Sequence, residues 1–210
     1  SGAIHKAHAL IIATGASAKW LGIEDEAAFQ GRGLSSCATC DGFFFRDQPM
    51  VVVVGGDSAA EEALYLARIG SKVTLVHRRD ELRASKIMAD RVLASDKIDV
   101  AWNSEVAEVV GNGKVEAVRL RNVQTGALTD VPTAAMFVAI GHTPNTEIFA
   151  GQIALDDEGY ILATGSHTNV EGVFVAGDVQ DRVYRQAITA AGSGAVAAID
   201  AERWLETHAH

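Results

Sequence analysis

The chain has only two cysteines among its 210 residues, and they lie three positions apart in the segment Cys37-Ala38-Thr39-Cys40-Asp41-Gly42. Two thiols at this spacing can close and reopen a small disulfide ring. Such a pair stores two electrons, and one thiol can be held as the reactive thiolate. The segment therefore predicts a redox-active dithiol made of Cys37 and Cys40.

Two other interpretations of the cysteine pair need no redox chemistry. The cysteines could be small buried hydrophobic residues, or half of a zinc site. A zinc site of this type needs a second pair of ligands, and none of the seven histidines lies at a ligand-like spacing from the cysteines. The redox interpretation is therefore favoured.

A strand, a tight turn, a helix and a second strand follow the dithiol. Met50–Val54 is an apolar run typical of a buried strand, and Gly55-Gly56-Asp57 is a turn. Apolar residues at helical spacing predict a helix over Ser58–Ile69, and a second buried strand is expected over Lys72–His77. This order is that of a βαβ unit, whose strands are parallel.

The remaining segments complete an α/β fold. Alternating residues broken by glycine turns predict an antiparallel meander over Ser104–Val131. The other predicted elements are a buried strand ending in a turn (Ala9–Gly15), a loop with a short helical turn (16–33), a helix (Arg83–Leu93), strands (Ile98–Trp102, Met136–Ile140, Val173–Ala176) and a long helix (Gln186–Leu205). We expect a Rossmann-like domain with a parallel sheet plus the meander, ending near Gly141–Asn145, where glycine and proline indicate a boundary.

The turn of the βαβ unit is a candidate dinucleotide site. The glycine-rich motif of such sites, G-x-G-x-x-G/A, lets the backbone approach a pyrophosphate at the N-terminus of a helix. The corresponding segment here is Val54-Gly55-Gly56-Asp57-Ser58-Ala59, in which valine stands at the first glycine position or one glycine is lost. A β-branched residue there is expected to weaken nucleotide binding.

Arginines follow the second strand of the unit, where an NAD site would have an acid for the ribose 2′-hydroxyl. The chain has His77-Arg78-Arg79 at this point and Arg83 four residues further on. Clustered guanidinium groups suit a 2′-phosphate, which they bind through charge-assisted, bidentate hydrogen bonds. The cluster favours NADPH as cofactor, the alternative being an ordinary solvated basic face.

Charge and hydropathy exclude several classes of function. The formal net charge of −9 argues against nucleic acids and anionic membrane surfaces as partners. The longest apolar runs, Ala7–Ala13 and Ala134–Ile140, are too short to cross a bilayer. The first residues lack the apolar segment of a signal peptide, so the cytoplasm is the expected location.

Together, the dithiol, the βαβ unit and the arginine cluster make the chain resemble the low-molecular-weight bacterial thioredoxin reductases. The similarity extends over nearly all 210 residues. The matching stretches are Ala9–Ser17, Gly31–Phe44, His77–Asp80, Ala139–Asn145 and Gly172–Ala191.

The resemblance implies an NADPH domain inserted into a FAD domain. Residues 18–141 would bind NADPH and carry the dithiol, and residues 1–17 and 142–210 would be the remaining part of the FAD domain. The residues matched to flavin binding are Thr14, Gly15, Gly177, Asp178, Arg185, Gln186 and Ala187. The family begins with a further glycine-rich strand and turn for FAD. Nothing similar precedes Ala9, so the chain is expected to correspond to the C-terminal two-thirds of the family.

The resemblance also implies an activity for the complete protein. Electrons would pass from NADPH through FAD to the Cys37–Cys40 disulfide and then to thioredoxin. Cys40 would face the flavin, Cys37 would attack thioredoxin, and Asp41 would be the acid–base group. Taken alone, Asp41 is also typical of a turn before Gly42. The family further suggests a homodimer.

Three other functions remain open at this point. The chain could serve a peroxidase in place of thioredoxin, bind NADPH without holding FAD, or be a structural remnant that binds neither nucleotide. Flavin content and affinity for NADPH distinguish these possibilities.

Overall fold

The structure, a computed structural model, describes residues 2–54 and 56–208. Gly55 and the side chain of Val54, both named in the predicted nucleotide motif, lie outside that part. The strands are β1 (Leu10–Ile12), β2 (Ala16–Ala18), β3 (Leu34–Ser35), β4 (Pro49–Val54), β5 (Lys72–Val76), β6 (Ile98–Ala101), β7 (Ser104–Val110), β8 (Ala117–Asn122), β9 (Leu128–Pro132), β10 (Ala135–Ala139), β11 (His142–Pro144) and β12 (Val173–Val175). The α-helices are α1 (Glu26–Phe29), α2 (Ala38–Asp41), α3 (Asp57–Ile69), α4 (Lys86–Leu93) and α5 (Ala187–His208).

The chain divides into two compact units. The central unit is Lys19–Gly141, and the flanking unit comprises residues 1–18 and 142–210. The chain therefore leaves the flanking unit once, forms the central unit and returns. The ligands that the resemblance assigns to the two units stay predictions.

The central unit is built on a five-stranded parallel sheet with the strand order β3-β10-β4-β5-β6. β4 has a neighbouring strand at each edge and packed layers on both faces. Met50, Val51 and Val52 in it are at most 1% exposed. Burial of both faces explains why this strand is a continuous apolar run without alternating polar residues.

Helices cover one face of this sheet and the meander covers the other. On the helical face, Ala59, Ala63 and Leu66 of α3 are fully buried against alternate sheet residues, as their spacing on one side of a helix requires. On the opposite face the sheet packs against the three-stranded antiparallel sheet β7-β8-β9. The predicted α/β class, parallel sheet and meander are confirmed.

The flanking unit contains two short strand pairs and the longest helix. β1 and β12 are parallel, and β2 and β11 are antiparallel. Ala197 and Ala201 of α5 pack on Phe174 of β12. The prediction of a buried first strand is wrong for Leu10 and Ile11, which are 49% and 40% exposed. An apolar run indicates burial only where both faces are covered, and β1 contributes only Ile12 to the core.

Two predicted boundaries differ from the structure. The helix expected from Arg83 begins at Lys86, which leaves Arg83 in the preceding loop. The backbone N–H of Ser85 binds Oδ1 of Asp57 at 2.6 Å, and the Ser85 carbonyl accepts the first helical hydrogen bond, from Ala89. In addition, the segment predicted as a loop after Gly15 includes the short strand β2. No helix in the described part of the chain has the length and hydropathy needed to cross a membrane.

Candidate functional site

Cys37 and Cys40 form a disulfide at the N-terminal end of α2. Cys37 is the residue before the helix, and its sulfur accepts a hydrogen bond from the backbone N–H of Cys40 at 3.2 Å. Its own N–H donates to Oγ of Ser35 at 3.1 Å, and its carbonyl accepts from the N–H of Asp41 at 3.1 Å. Local hydrogen bonds therefore fix both sides of the Cys37 backbone.

The segment ahead of the dithiol is held by a close backbone approach at Gly33. This glycine has φ +103°, and a Cβ on it would lie 2.7 Å from Cβ of Val115 and 2.9 Å from the Ala134 carbonyl oxygen. Only glycine allows this conformation and this contact together. The approach brings β3 into register with β10, and Cys37 follows two residues after β3 ends.

Exposed aromatic side chains follow the disulfide. Cys37 is half-buried and Cys40 is exposed, while Phe43 and Phe44 are 63% and 76% exposed. Asp41 is half-buried and lines a cavity of about 190 Å³ together with Phe44. The structure thus brings Cys37, Cys40 and Asp41, the predicted catalytic residues, together at an accessible surface.

A larger cavity of about 550 Å³ lies in the central unit at the carboxyl ends of the parallel strands. Its lining is Leu21, Ile23, Val53, Val76, His77, Arg78, Arg83, Ser104, Glu105, Val106, Arg121 and Ile140. β5 and β6 lie on one side of β4 in the sheet, and β10, which comes later in the chain, lies on the other side of β4. Ligands of open α/β sheets bind beyond the strand ends at such a switch point.

His77 is a buried member of this cavity lining, with an exposure of 3%. Burial lowers its pKa, the nearby arginines lower it further, and a hydrogen bond between Nε2 and the Glu81 carbonyl partly opposes this shift. The carbonyl can only accept, so Nε2 carries the proton of the neutral ring and Nδ1 is an acceptor. Nδ1 is buried and has no hydrogen-bond partner among the described residues.

The other residues predicted to bind nucleotide lie around the start of α3 and in the loop after β5. Gly56 precedes α3, Asp57 and Ser58 are exposed in its first turn, and Ala59 is fully buried in the core. Arg79 is exposed and is not part of the cavity lining, although its carbonyl accepts a hydrogen bond from the N–H of Asn103.

Sequence reasoning missed the wall that the meander contributes to the cavity. Glu105 on β7 and Arg121 on β8 are directly paired across the strands, and Nε of Arg121 donates to Oε1 of Glu105 at 2.9 Å. Strand alternation predicts that both side chains point away from the meander core. No sequence signal indicates that they line a cavity formed with the parallel sheet.

Glu26 is a second residue that sequence reasoning missed. Its carboxylate is 5% exposed and accepts the backbone N–H groups of Leu21 at 2.9 Å and Gly22 at 2.8 Å. Leu21 is also part of the cavity lining. Glu26 therefore fixes the loop that forms one edge of the cavity.

In the flanking unit, the candidate flavin residues lie beyond two adjacent parallel strands. Thr14 and Gly15 follow β1, and Gly177 and Asp178 follow β12. Asn145 holds Thr14 and Gly15 in place. Its side-chain amide donates a hydrogen bond to the Thr14 carbonyl at 2.9 Å, and its backbone N–H donates to the Gly15 carbonyl at 3.0 Å. Oδ1 of Asp178 is buried and has no hydrogen-bond partner among the described residues.

Asp181 organises the loop that contains Arg185 and leads to Gln186 and Ala187 at the start of α5. Its carboxylate accepts hydrogen bonds from the N–H groups of Val183, Tyr184 and Arg185 at 2.9 to 3.0 Å. Burial alone would raise the pKa of Asp181, but these hydrogen bonds outweigh burial and lower it. No spacing in the sequence indicated this role for Asp181.

The described residues include no group of three or more His, Cys, Asp or Glu side chains placed to hold a metal ion. What they do contain is a cystine and a cation-lined cavity at the switch point of a parallel sheet. These features define the class of nucleotide-binding α/β proteins that carry a dithiol–disulfide pair.

The chain belongs to the pyridine nucleotide-disulphide oxidoreductase family, whose sequence model matches residues 1–194. It is 55% identical over 207 residues to a thioredoxin reductase of Streptomyces coelicolor, and 56% identical over 203 residues to one of Mycolicibacterium smegmatis. These alignments cover 98% and 96% of this chain. The chain spans 64% and 65% of the length of those two relatives.

Solved structures agree with this assignment. The thioredoxin reductase of Streptococcus pyogenes matches with a TM-score of 0.91 and 46% identity, over 95% of this chain and 66% of that one. The thioredoxin reductase of Giardia duodenalis matches with a TM-score of 0.86 and 44% identity, over 94% of this chain and 66% of that one. The resemblance to thioredoxin reductases seen in the sequence is confirmed.

Proposed function

We propose that the chain is the pyridine-nucleotide and dithiol part of an NADPH-dependent flavoprotein disulfide reductase. Electrons pass from NADPH through FAD to the Cys37–Cys40 disulfide and then to thioredoxin. The central unit binds NADPH, and the flanking unit contributes to FAD binding. One observation carries the proposal: a single compact unit contains both a closed disulfide and a cation-lined cavity at the switch point of its sheet.

The cavity residues fit NADPH. Arg78 and Arg83 offer guanidinium groups to a 2′-phosphate, and Arg121 supplies a third cation on the opposite, meander side. Nδ1 of neutral His77 is a buried acceptor that suits a hydroxyl or amine hydrogen of the ligand. Arg79 also contributes to the positive field, although it lies outside the lining.

The flanking unit fits part of a flavin nucleotide. The Asp178 carboxylate has a buried oxygen that suits a ligand hydroxyl. Gly15 and Gly177 both have positive φ, a conformation that favours glycine, and the missing side chains let a ligand approach the backbone. Arg185, Gln186 and Ala187 lie at the N-terminal end of α5, which favours anionic or electron-rich groups. Thr14 completes the proposed set.

When bound, NADPH supplies a hydride and FAD relays its two electrons to the disulfide. Two-electron reduction breaks the bond between the sulfurs, leaving one thiolate and one thiol after uptake of a proton. Cys37 then attacks the disulfide of thioredoxin, and Cys40 displaces the reduced product by re-forming the Cys37–Cys40 bond. Asp41, next to Cys40 in sequence, is the proposed acid–base group for these proton transfers.

The visible absorption spectrum of the purified chain tests this proposal. We expect an oxidised flavin band after addition of FAD, and bleaching of that band by NADPH. A Cys37→Ser variant should keep this bleaching but lose thioredoxin reduction, because the flavin step does not need that sulfur. A chain that binds flavin and NADPH but shows no bleaching would contradict the proposed electron transfer.

A second candidate function is NADPH binding without FAD. It is favoured by the location of every cavity-lining residue within Lys19–Gly141, so the nucleotide cavity needs no residue of the flanking unit. A colourless chain that binds NADPH would support this alternative. A homodimer and a cytoplasmic location remain part of the first proposal, and gel filtration with light scattering measures the oligomeric state.

A further inference from the structure

The hydroxyl of Thr39 lies beside the sulfur of Cys37, and the chemistry of the pair fixes the direction of their hydrogen bond. Thr39 Oγ1 is 3.4 Å from Cys37 Sγ. The sulfur of Cys37 is bonded to Cys40, so it has no hydrogen to donate and can only accept. The hydroxyl of Thr39 is therefore the donor.

Cys37 Sγ thus accepts two hydrogen bonds from its own helical turn, one from the Thr39 hydroxyl and one from the backbone N–H of Cys40 at 3.2 Å. Both donors lie within three residues of Cys37. Their positions depend on α2, in which Ala38 is 1% exposed and anchors the turn in the core. The N–H of Cys40 is therefore placed by the helix, and the exposed Thr39 lies in the same turn.

We propose that Thr39 is a positioning residue that lowers the pKa of the Cys37 thiol and so raises its thiolate fraction. The inference deepens the proposed function and rests on it. Hydrogen bonds to a charged group favour the charged form, so the two donors to Cys37 Sγ favour the thiolate of Cys37.

This assignment gives a balanced exchange with a disulfide substrate. The thiolate of Cys37 attacks one substrate sulfur, the substrate disulfide breaks, and its other sulfur leaves as a thiolate that takes a proton. Cys40 gives up its proton, attacks the sulfur of Cys37 in the mixed disulfide and releases the second substrate sulfur. The substrate gains two electrons, and Cys37–Cys40 is oxidised to the disulfide again. NADPH restores the dithiol in the proposed enzyme.

The presence of only two cysteines allows each thiol to be titrated alone. In a Cys40→Ser background, Thr39→Val should raise the pKa of Cys37 by about half a unit. At pH values below that pKa, this shift lowers the fraction of Cys37 present as thiolate about threefold. Thr39→Ser keeps the hydroxyl and should restore the lower value. Thiolate absorbance at 240 nm against pH gives the pKa, and the rate of reaction with 5,5′-dithiobis(2-nitrobenzoate) near neutral pH should fall in parallel.

The Cys37→Ser background, which leaves only Cys40, is the matched control. There Thr39→Val should leave the thiol pKa unchanged within about 0.2 units, because the hydroxyl contacts the other sulfur. An unchanged pKa of Cys37, an equal shift of both thiols, or a failure of Thr39→Ser to restore the value would overturn the proposal. Thr39→Ala replaces Thr39→Val if the valine variant does not fold. None of these titrations needs nucleotide, flavin or thioredoxin, so they separate this inference from the proposed function.

Discussion

The arginines of the large cavity give the sharpest prediction for nucleotide recognition. Arg78 and Arg83 both line the cavity at the carboxyl ends of the parallel strands, and both are exposed in the free protein. If they hold a 2′-phosphate, replacing both with glutamine weakens the binding of NADPH and leaves that of NADH nearly unchanged. The two cofactors differ only in this phosphate, so their ratio isolates the contact.

The size of the effect follows from the exposure of these side chains. An exposed ion pair contributes about 0.2–1 kcal/mol, and a bidentate contact with a doubly charged phosphate lies at the upper end of this range. At about 1 kcal/mol each, one replacement lowers the affinity for NADPH about fivefold and both together lower it about 25-fold if the effects add. Binding of NADH should change less than about threefold, since only the general positive field is reduced.

Isothermal titration of the purified chain with NADPH, NADH and 2′,5′-ADP measures these affinities directly. Arg91→Gln is the matched control for each single replacement, since Arg91 is an exposed residue of α4 and its loss also removes one positive charge. Parallel losses for NADPH and NADH would refute a 2′-phosphate contact. An unchanged affinity for NADPH would refute the location of the nucleotide in this cavity.

Three further predictions concern residues that shape the two sites. Glu26→Ala should lower the free energy of unfolding by about 2–3 kcal/mol, measured by urea denaturation, because it leaves two backbone N–H groups without their buried acceptor. Gly33→Ala should cost about 2 kcal/mol or more in the same assay, because its Cβ would lie within 2.9 Å of a carbonyl oxygen at φ +103°. Asp181→Asn should cost about 1 kcal/mol at neutral pH and reduce the loss of stability on acidification.

The sign of the Asp181 effect follows from the direction of its shift. Its pKa is lowered in the folded state, so its contribution is fully present above the unfolded value of about 4 and is lost as the pH falls through the folded value. Replacement of the exposed Asp157 with asparagine, which changes the net charge equally, is the control.

Matched variants also exist for the other two predictions. Glu24→Ala removes a nearby exposed carboxylate, and an equal cost there would contradict the role of Glu26. Gly31→Ala adds a Cβ at φ +71° with nothing within 4 Å, so a cost as large as that of Gly33→Ala would show that the close approach is unimportant.

The fold was predictable from the sequence where a strand is covered on both faces and where the local sequence signals agree with each other. β4 is an apolar run covered on both faces, α3 has its buried alanines at helical spacing, and the meander has glycine turns between alternating residues. The exposure of Leu10 and Ile11 was not predictable, because apolar sequence does not specify whether a strand is covered on one side or two. The start of α4 depends on the Asp57 contact with Ser85, which joins positions 28 residues apart.

The placement of the proposed reacting groups was predictable for a different reason. Cys37, Cys40 and Asp41 are adjacent in sequence, so one helical turn brings them together without any tertiary contact. The cavity was only partly predictable, since His77, Arg78 and Arg83 are local to the end of β5 but Glu105 and Arg121 come from the meander. Asn145 and Asp181 act through backbone hydrogen bonds, which leave no distinctive spacing in the sequence.

The meander has a consequence for the cavity that a simple βαβ unit would lack. In the central unit, helices cover one face of the parallel sheet, and β7-β8-β9 takes the place of helices on the other. A strand pair presents outward side chains in a fixed register, so Arg121 is held opposite Arg78 and Arg83 by its cross-strand partner Glu105. The carboxylate also offsets one positive charge when the cavity is empty. Under the proposed function, a phosphate that engaged Arg121 would compete with Glu105, and the meander would then tune affinity for the nucleotide as well as lining the cavity.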